Sequence, residues 1–67
     1  MTYTYRNETF NGYTVSMKLD KFDNFYTIYI YTPHGTTYRK SKPQIGWKRA
    51  TATYNRYRRE VKAMAWD

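Results

Sequence analysis

Few side chains in this sequence could carry out covalent chemistry. It contains no cysteine and a single histidine, His34, so it offers neither a thiolate nucleophile nor a His/Cys zinc cluster. The two serines, Ser16 and Ser41, have no catalytic motif around them, and no glycine-rich phosphate loop is present. Asp20 and Asp23 are typical of a turn, where aspartate bonds its own backbone. We therefore predict a protein that is not an enzyme and that uses no cofactor or metal.

Cations and tyrosines are the side chains that suit binding. The 67 residues include nine tyrosines and twelve Lys or Arg. Residues 1–33 carry three basic and three acidic side chains, whereas residues 34–67 carry nine basic and two acidic ones. The net charge of +7 therefore lies entirely in the second half, where it predicts a polyanionic partner.

Turn signals divide the first two thirds of the chain into short strands. Asn11 and Gly12 favour a type I′ hairpin turn, which needs positive φ at both central residues. Composition also predicts turns in the segments DKFDN and TPHG. We expect strands at about residues 2–10, 13–19, 25–32 and 36–41.

From Trp47 onward the apolar side chains recur every three or four residues, which predicts an α-helix at about residues 46–64. The start of this helix has two interpretations, because Ser41 to Gln44 has the form of a capping box, whereas Pro43 and Gly46 favour an irregular approach. The apolar stripe comprises Trp47, Ala50, Tyr54, Tyr57, Val61 and Met64.

One face of the sheet offers the apolar surface that this helix must bury. Alternation along the strands places their apolar side chains on that shared face. They are Val15, Met17, Leu19, Tyr26, Ile28, Ile30 and Tyr38. The sequence thus predicts a single α+β domain over residues 1–67, with a three- to four-stranded antiparallel meander and one C-terminal helix packed on one face.

The opposite sheet face is expected to stay uncovered and to carry hydroxyls, aromatic rings and cations. Such a mixture suits a nucleic acid, since tyrosine stacks on bases and cations bind phosphates. Two other interpretations remain: cross-strand contacts alone account for this composition, or the N-terminal TYTY strand or a second copy of the chain covers the face. Its expected side chains are Thr14, Ser16, Lys18, Thr27, Tyr29, Tyr31, Thr37 and Arg39.

The outward side of the helix is a second candidate surface. Like charges there repel one another, which lowers the stability slightly, and phosphates or an acidic partner would neutralise them. The alternative interpretation is that this face simply contacts solvent. Its predicted cations are Lys48, Arg49, Arg56, Arg58, Arg59 and Lys62, with Glu60 as the only acid. Because the two surfaces lie on opposite sides of the domain, Arg39, Lys40 and Lys42 are the expected connection between them.

The order of three antiparallel strands and an amphipathic helix resembles the Apetala-type DNA-binding domain, also found as the arm-binding domain of some phage and transposon integrases. GYTVSMKL is similar to the first strand of that family, FYTIYIYTPHG to its second strand and turn, and WKRATATYNRY to its helix. The resemblance covers residues 12–60. It implies DNA groove contact through the sheet, by Lys18, Tyr29, Tyr31 and Arg39.

We accordingly predict a small, cytoplasmic, non-enzymatic module that binds nucleic acid, with DNA favoured, and that does not enter a membrane. The alternative is a small phage or mobile-element protein that binds an acidic surface of a host protein, such as a nucleic-acid enzyme, and inhibits it. A third interpretation is a homodimer in which the sheet faces of two copies pair. The residues expected to bind the nucleic acid or partner are Lys18, Tyr29, Tyr31, Arg39, Lys40, Lys42, Lys48, Arg49, Arg56 and Arg59.

Overall fold

The computed structural model describes residues 2–64, which form a four-stranded antiparallel sheet with one helix packed on it. The elements are β1 (Thr2–Phe10), β2 (Tyr13–Asp20), β3 (Phe25–Tyr31), β4 (Thr37–Lys40) and α1 (Trp47–Ala63). The strands lie side by side in chain order. The α+β meander with a C-terminal helix is therefore confirmed, and every bound lies within one residue of its predicted position. No helix within residues 2–64 combines the length and the apolar character needed to cross a membrane.

The turns form where the sequence provides residues that tolerate positive φ. Asn11 and Gly12 have φ of 53° and 85°, which closes the β1–β2 hairpin next to the Phe10–Tyr13 pair. Between β2 and β3, Asn24 has φ of 62°. The carboxylate of Asp20 accepts a hydrogen bond of 2.9 Å from the backbone N–H of Phe22, as expected for an Asx turn.

The core lies between α1 and the two central strands. Its strand residues Val15, Met17, Ile28 and Ile30 have no exposed surface, and Leu19 is also buried. From α1 the buried residues are Ala50, Thr53, Tyr54, Tyr57 and Val61. The predicted core is confirmed in part: Trp47 is 50% exposed, and Tyr26 and Met64 are only partly buried. Tyr38 is 51% exposed because it belongs to the short edge strand β4. Its ring meets only the edge of the Tyr13 ring, with 5.9 Å between centroids.

The segment before α1 follows the edge of β3 instead of capping the helix. The backbone N–H of Ile28 donates to Ser41 Oγ at 2.9 Å, and the Ser41 N–H donates to the Ile28 carbonyl at 2.8 Å. Tyr26 and Gln44 exchange two further backbone hydrogen bonds. The helix N-cap is Gly46, with φ of 94° and no side-chain capping bond. The capping-box interpretation is therefore wrong, and the irregular approach is confirmed.

β1 forms an edge of the sheet, and a bulge near its start changes which side chains face α1. Thr4 pairs with Lys18 and Arg6 with Met17, so Tyr5 is an extra residue in the strand. Because β1 pairs with β2 along its whole length, it extends the sheet and does not fold over it. The interpretation in which the TYTY strand covers the free sheet face is therefore wrong.

Candidate nucleic-acid interface

The open face, meaning the side of the sheet opposite α1, carries a compact group built from three strands. The rings of Tyr29 and Tyr31 stack with 5.6 Å between centroids and 8° between planes. Lys18 Nζ donates to Tyr31 Oη at 2.9 Å and lies 5.2 Å from the centre of each ring. Lys40 Nζ lies 5.7 Å from the Tyr29 ring. These rings and cations already contact one another, so less of each ring is free to stack on a base.

Two shallow depressions flank this group on the open face. One, of about 380 Å³, is lined mainly by residues with hydroxyl groups, such as Ser16 and Tyr31, and also by Lys18. The other, of about 280 Å³, contains Lys40 together with the carboxylates of Asp20 and Asp23. Because two acids share the face with Lys18 and Lys40, the open face has little net positive charge.

Arg39 does not lie on the open face, so that prediction is wrong. It pairs with Ile30, whose side chain points into the core, because the register of β3 and β4 shifts between Ile30 and Tyr31. Arg39 Nη1 donates to both carboxylate oxygens of Glu60 at 2.6 and 2.7 Å. Its guanidinium also lies 5.4 Å from the centre of the Tyr57 ring. Arg39 thus ties β4 to α1.

Glu8 organises a second polar cluster between β1 and α1. Tyr54 Oη donates to Glu8 Oε1 at 2.7 Å, and Arg58 Nε lies 3.3 Å from both Glu8 oxygens. Arg6 Nη2 donates to Glu8 Oε1 at 3.3 Å, and its guanidinium lies 4.3 Å from the Tyr54 ring. Arg58 therefore belongs to an internal cluster, and its prediction as an outward-facing cation is wrong.

The protonation states of Glu8 and Tyr54 follow from these contacts. The hydrogen bond from Tyr54, with the charges of Arg58 and Arg6, holds the pKa of Glu8 below its ordinary value, although burial opposes this shift. Burial, and then the bond to Glu8, raise the pKa of Tyr54. At neutral pH Tyr54 is therefore a stable donor to an ionised acceptor. This pairing connects β1 to α1 and helps to hold the fold together.

The outer face of α1 keeps its cations unpaired. Within residues 2–64, the two acids on the helix side of the sheet, Glu8 and Glu60, already bind arginines, and no described carboxylate forms an ion pair with the cations of this face. The outer face of α1 comprises the exposed cations Lys48, Arg49, Arg56, Arg59 and Lys62, with the exposed small residues Ala52 and Ala63 among them. Lys42, just before α1, is also exposed. Lys40 lies toward the open face.

An aromatic group that the sequence analysis missed lies near the start of α1. The Trp47 ring packs edge-on against Tyr5 and Tyr26, with centroids 5.5 and 5.8 Å apart, and Tyr3 packs on Tyr5 at 5.1 Å. Trp47 is 50% exposed, and Ile45 nearby in the chain is 70% exposed. We call Tyr3, Tyr5, Tyr26 and Trp47 the aromatic end surface. The repeated tyrosines of TYTY indicated an aromatic surface near the N-terminus. The bulge in β1, which makes Tyr5 an extra residue in the strand, could not be predicted from the sequence.

Comparisons with family models, with curated proteins and with solved structures find no match. Within residues 2–64, no three side chains of His, Asp or Glu come together in a way that could hold a metal ion. The geometry of the chain itself is therefore the basis for assigning a function.

Proposed function

We propose that the protein binds nucleic acid and contacts its phosphates with the outer face of α1. The observation that carries this proposal is the set of exposed cations on that face with no ion pair to any described carboxylate, since the described acids nearby, Glu8 and Glu60, are bound to Arg6, Arg39 and Arg58. A polyanion that meets such a face neutralises its charges and releases condensed counterions, which is the main source of non-specific affinity for DNA and RNA.

The charge distribution favours the helix over the sheet as the docking surface. On the open face, Asp20 and Asp23 offset Lys18 and Lys40 beside the second depression. The Tyr29 and Tyr31 rings are stacked on each other, which is how an exposed sheet face is stabilised without a ligand. The outer face of α1 has neither feature, since Glu60 beside it binds Arg39 and no described carboxylate forms an ion pair with its cations.

Two double variants with the same change in net charge test which surface binds. Arg56→Gln with Arg59→Gln removes two cations from the outer face of α1, and Lys18→Gln with Lys40→Gln removes two from the open face. We expect the helix variant to weaken binding to a labelled oligonucleotide by about tenfold or more and to lower the slope of log K against log salt by about 2. The sheet variant should change both quantities much less.

Fluorescence anisotropy at low and moderate salt provides the measurement. If the wild-type protein binds neither DNA nor RNA at low salt, the proposal is wrong. If the sheet variant loses more affinity than the helix variant, nucleic acid binds on the open face, as the family resemblance implies, and the assignment to α1 is wrong.

The aromatic end surface favours a second candidate function, which is binding to a protein partner such as a nucleic-acid enzyme. Half-exposed Trp47 belongs to the kind of aromatic surface that is enriched at protein interfaces, and Ile45, two residues before it in the chain, is an apolar side chain that is 70% exposed. Ile45→Glu should then abolish recovery of the partner from a nuclease-treated lysate. Unchanged recovery with Ile45→Glu, together with loss in Tyr29→Ala plus Tyr31→Ala, would place the partner on the open face.

A further inference from the structure

We infer that the ligand of α1 is duplex DNA and that the helix lies lengthwise in its major groove. This inference rests on the proposed function and adds the substrate class and the docking geometry. It follows from how the cations are arranged around the helix, from what lies between them and from the dimensions of the two partners.

The cations of the outer face form two rows. At about 100° per residue, Lys48 and Lys62 lie on one side of the outer face, and Arg49 and Arg56 lie on the other, roughly 110° away. The contacts agree with this separation. Lys62 Nζ leans toward the Phe10 ring of β1 at 5.5 Å, whereas the Arg56 guanidinium leans toward the Tyr57 ring at 5.9 Å. Two rows of cations on opposite flanks match two strands of phosphates.

The strip of helix surface between the two rows consists of two small side chains and one long one. Ala52 and Ala63 are exposed there and contribute one methyl group each, and Arg59 lies between them. Small residues let a helix approach the floor of a groove closely. An arginine projecting from the centre of such a helix has the donor geometry for bidentate bonds to guanine O6 and N7. The strip therefore suits the base edges and the rows suit the backbones.

The dimensions of α1 fit B-form DNA and not A-form RNA. The 17 residues of α1 stand on the sheet with their outer side free, and Lys48 to Lys62 spans about 21 Å along the axis. A helix of about 10–12 Å diameter enters the major groove of B-DNA, which is about 12 Å wide. The major groove of duplex RNA is too narrow and deep to admit it. Charge complementarity and shape thus select the same ligand.

The first part of the test compares ligands for the wild-type protein. Affinity is measured for one sequence as duplex DNA, duplex RNA and single-stranded DNA, and for duplex DNA in the presence of methyl green or netropsin, which occupy the major and the minor groove. We expect duplex DNA to bind at least about tenfold tighter than the other two ligands, and methyl green but not netropsin to compete. Equal or tighter binding of duplex RNA or single-stranded DNA, or competition by netropsin alone, overturns the inference.

The second part tests insertion and the two rows with variants of exposed residues. Ala52→Phe places a bulky ring on the central strip without changing charge, and it should weaken duplex binding by about tenfold or more, whereas Thr37→Phe on β4 should have little effect. Lys48→Gln with Lys62→Gln, and Arg49→Gln with Arg56→Gln, should each lower the salt slope by about 2. Insensitivity to Ala52→Phe, or an effect of one row only, overturns the groove geometry while the proposed function stands. Absence of binding to every ligand overturns the proposed function itself.

Discussion

Glu8 joins β1 to α1 through a short hydrogen bond from Tyr54 and an ion pair with Arg58. The carboxylate of Glu8 accepts this hydrogen bond from the hydroxyl of Tyr54, whose side chain is fully buried in the core. Arg58 and Arg6 approach the same carboxylate from the helix and from the strand. The cluster thus fixes the edge strand β1 against the helix, where the bulge in β1 would otherwise loosen the packing.

The lowered pKa of Glu8 predicts a stability that depends on pH. A carboxyl whose pKa is lower in the folded than in the unfolded chain stabilises the fold above its unfolded pKa, and this contribution disappears as the pH falls through the folded value. Because the hydrogen bond from Tyr54 lowers the pKa of Glu8 from its ordinary 4.5, Glu8→Gln should destabilise the fold by about 1 kcal/mol at neutral pH and by much less in acid.

Urea unfolding of the wild type and Glu8→Gln, each at neutral and at acid pH, measures this difference. Tyr54→Phe is the matched control because it removes the hydrogen bond but leaves the charge of Glu8 in place. It should reduce the pH dependence of the wild type as well. A difference between wild type and Glu8→Gln that is the same at both pH values would contradict the assigned role of Glu8.

The hairpin between β1 and β2 depends on a glycine for two separate reasons. Gly12 has φ of 85°, a backbone conformation that residues with a Cβ rarely adopt. A Cβ at this position would also lie 2.9 Å from Pro33 Cγ. The Pro33 ring of the β3–β4 turn therefore packs directly on the β1–β2 turn. The two turns at this end of the sheet can contact each other because Gly12 has no side chain.

Gly12→Ala and Gly35→Ala separate the two effects. Gly35 has nearly the same φ, 87°, but a Cβ there meets no atom within 4 Å. We expect Gly35→Ala to cost about 1 kcal/mol for backbone strain, and Gly12→Ala to cost about 2–3 kcal/mol because the contact with Pro33 is added. Thermal or urea unfolding gives the comparison. Equal costs would mean that Pro33 moves away without penalty.

The charge of the whole molecule is divided between pairs that hold the fold and cations that face solvent. Arginines from two edge strands, Arg6 and Arg39, point to the helix side and bind Glu8 and Glu60. The cations of the outer face of α1 have no such partner among residues 2–64, and they repel one another. The same charges that suit a phosphate ligand therefore lower the stability of the unbound protein.

Arg59→Glu should raise stability and weaken binding at the same time. A glutamate at this position faces Arg56 and Lys62 three residues away on either side, so it replaces repulsion by two attractive pairs worth about 0.2–0.5 kcal/mol each. We expect a higher unfolding temperature at low salt, a gain that salt reduces, and weaker binding to nucleic acid. Arg59→Gln, which only removes the repulsion, should fall between wild type and Arg59→Glu in stability. A loss of stability in Arg59→Glu would indicate that Arg59 has a structural role.

The strands, the first turn and the helix of this protein could be predicted from its sequence alone. Alternation in β2 and β3, the Asn11–Gly12 turn and the stripe of α1 specify strands, turn and helix, because each pattern reflects contacts between residues close in the chain. The exposure of Lys48, Arg49, Arg56 and Arg59 followed from the same period. These features could be predicted because pleat and helical turn repeat over a few residues.

Which charged side chains form ion pairs within the fold depends on contacts between residues far apart in the chain. Arg39 binds Glu60 across 21 positions and Arg58 binds Glu8 across 50, and neither separation leaves a periodic signal. A one-residue shift in the pairing of β3 and β4 turned Arg39 from the open face to the core side. A shift in strand register moves every following side chain to the other face of the sheet. The sequence therefore showed where the cations are in the chain but not which of them form ion pairs.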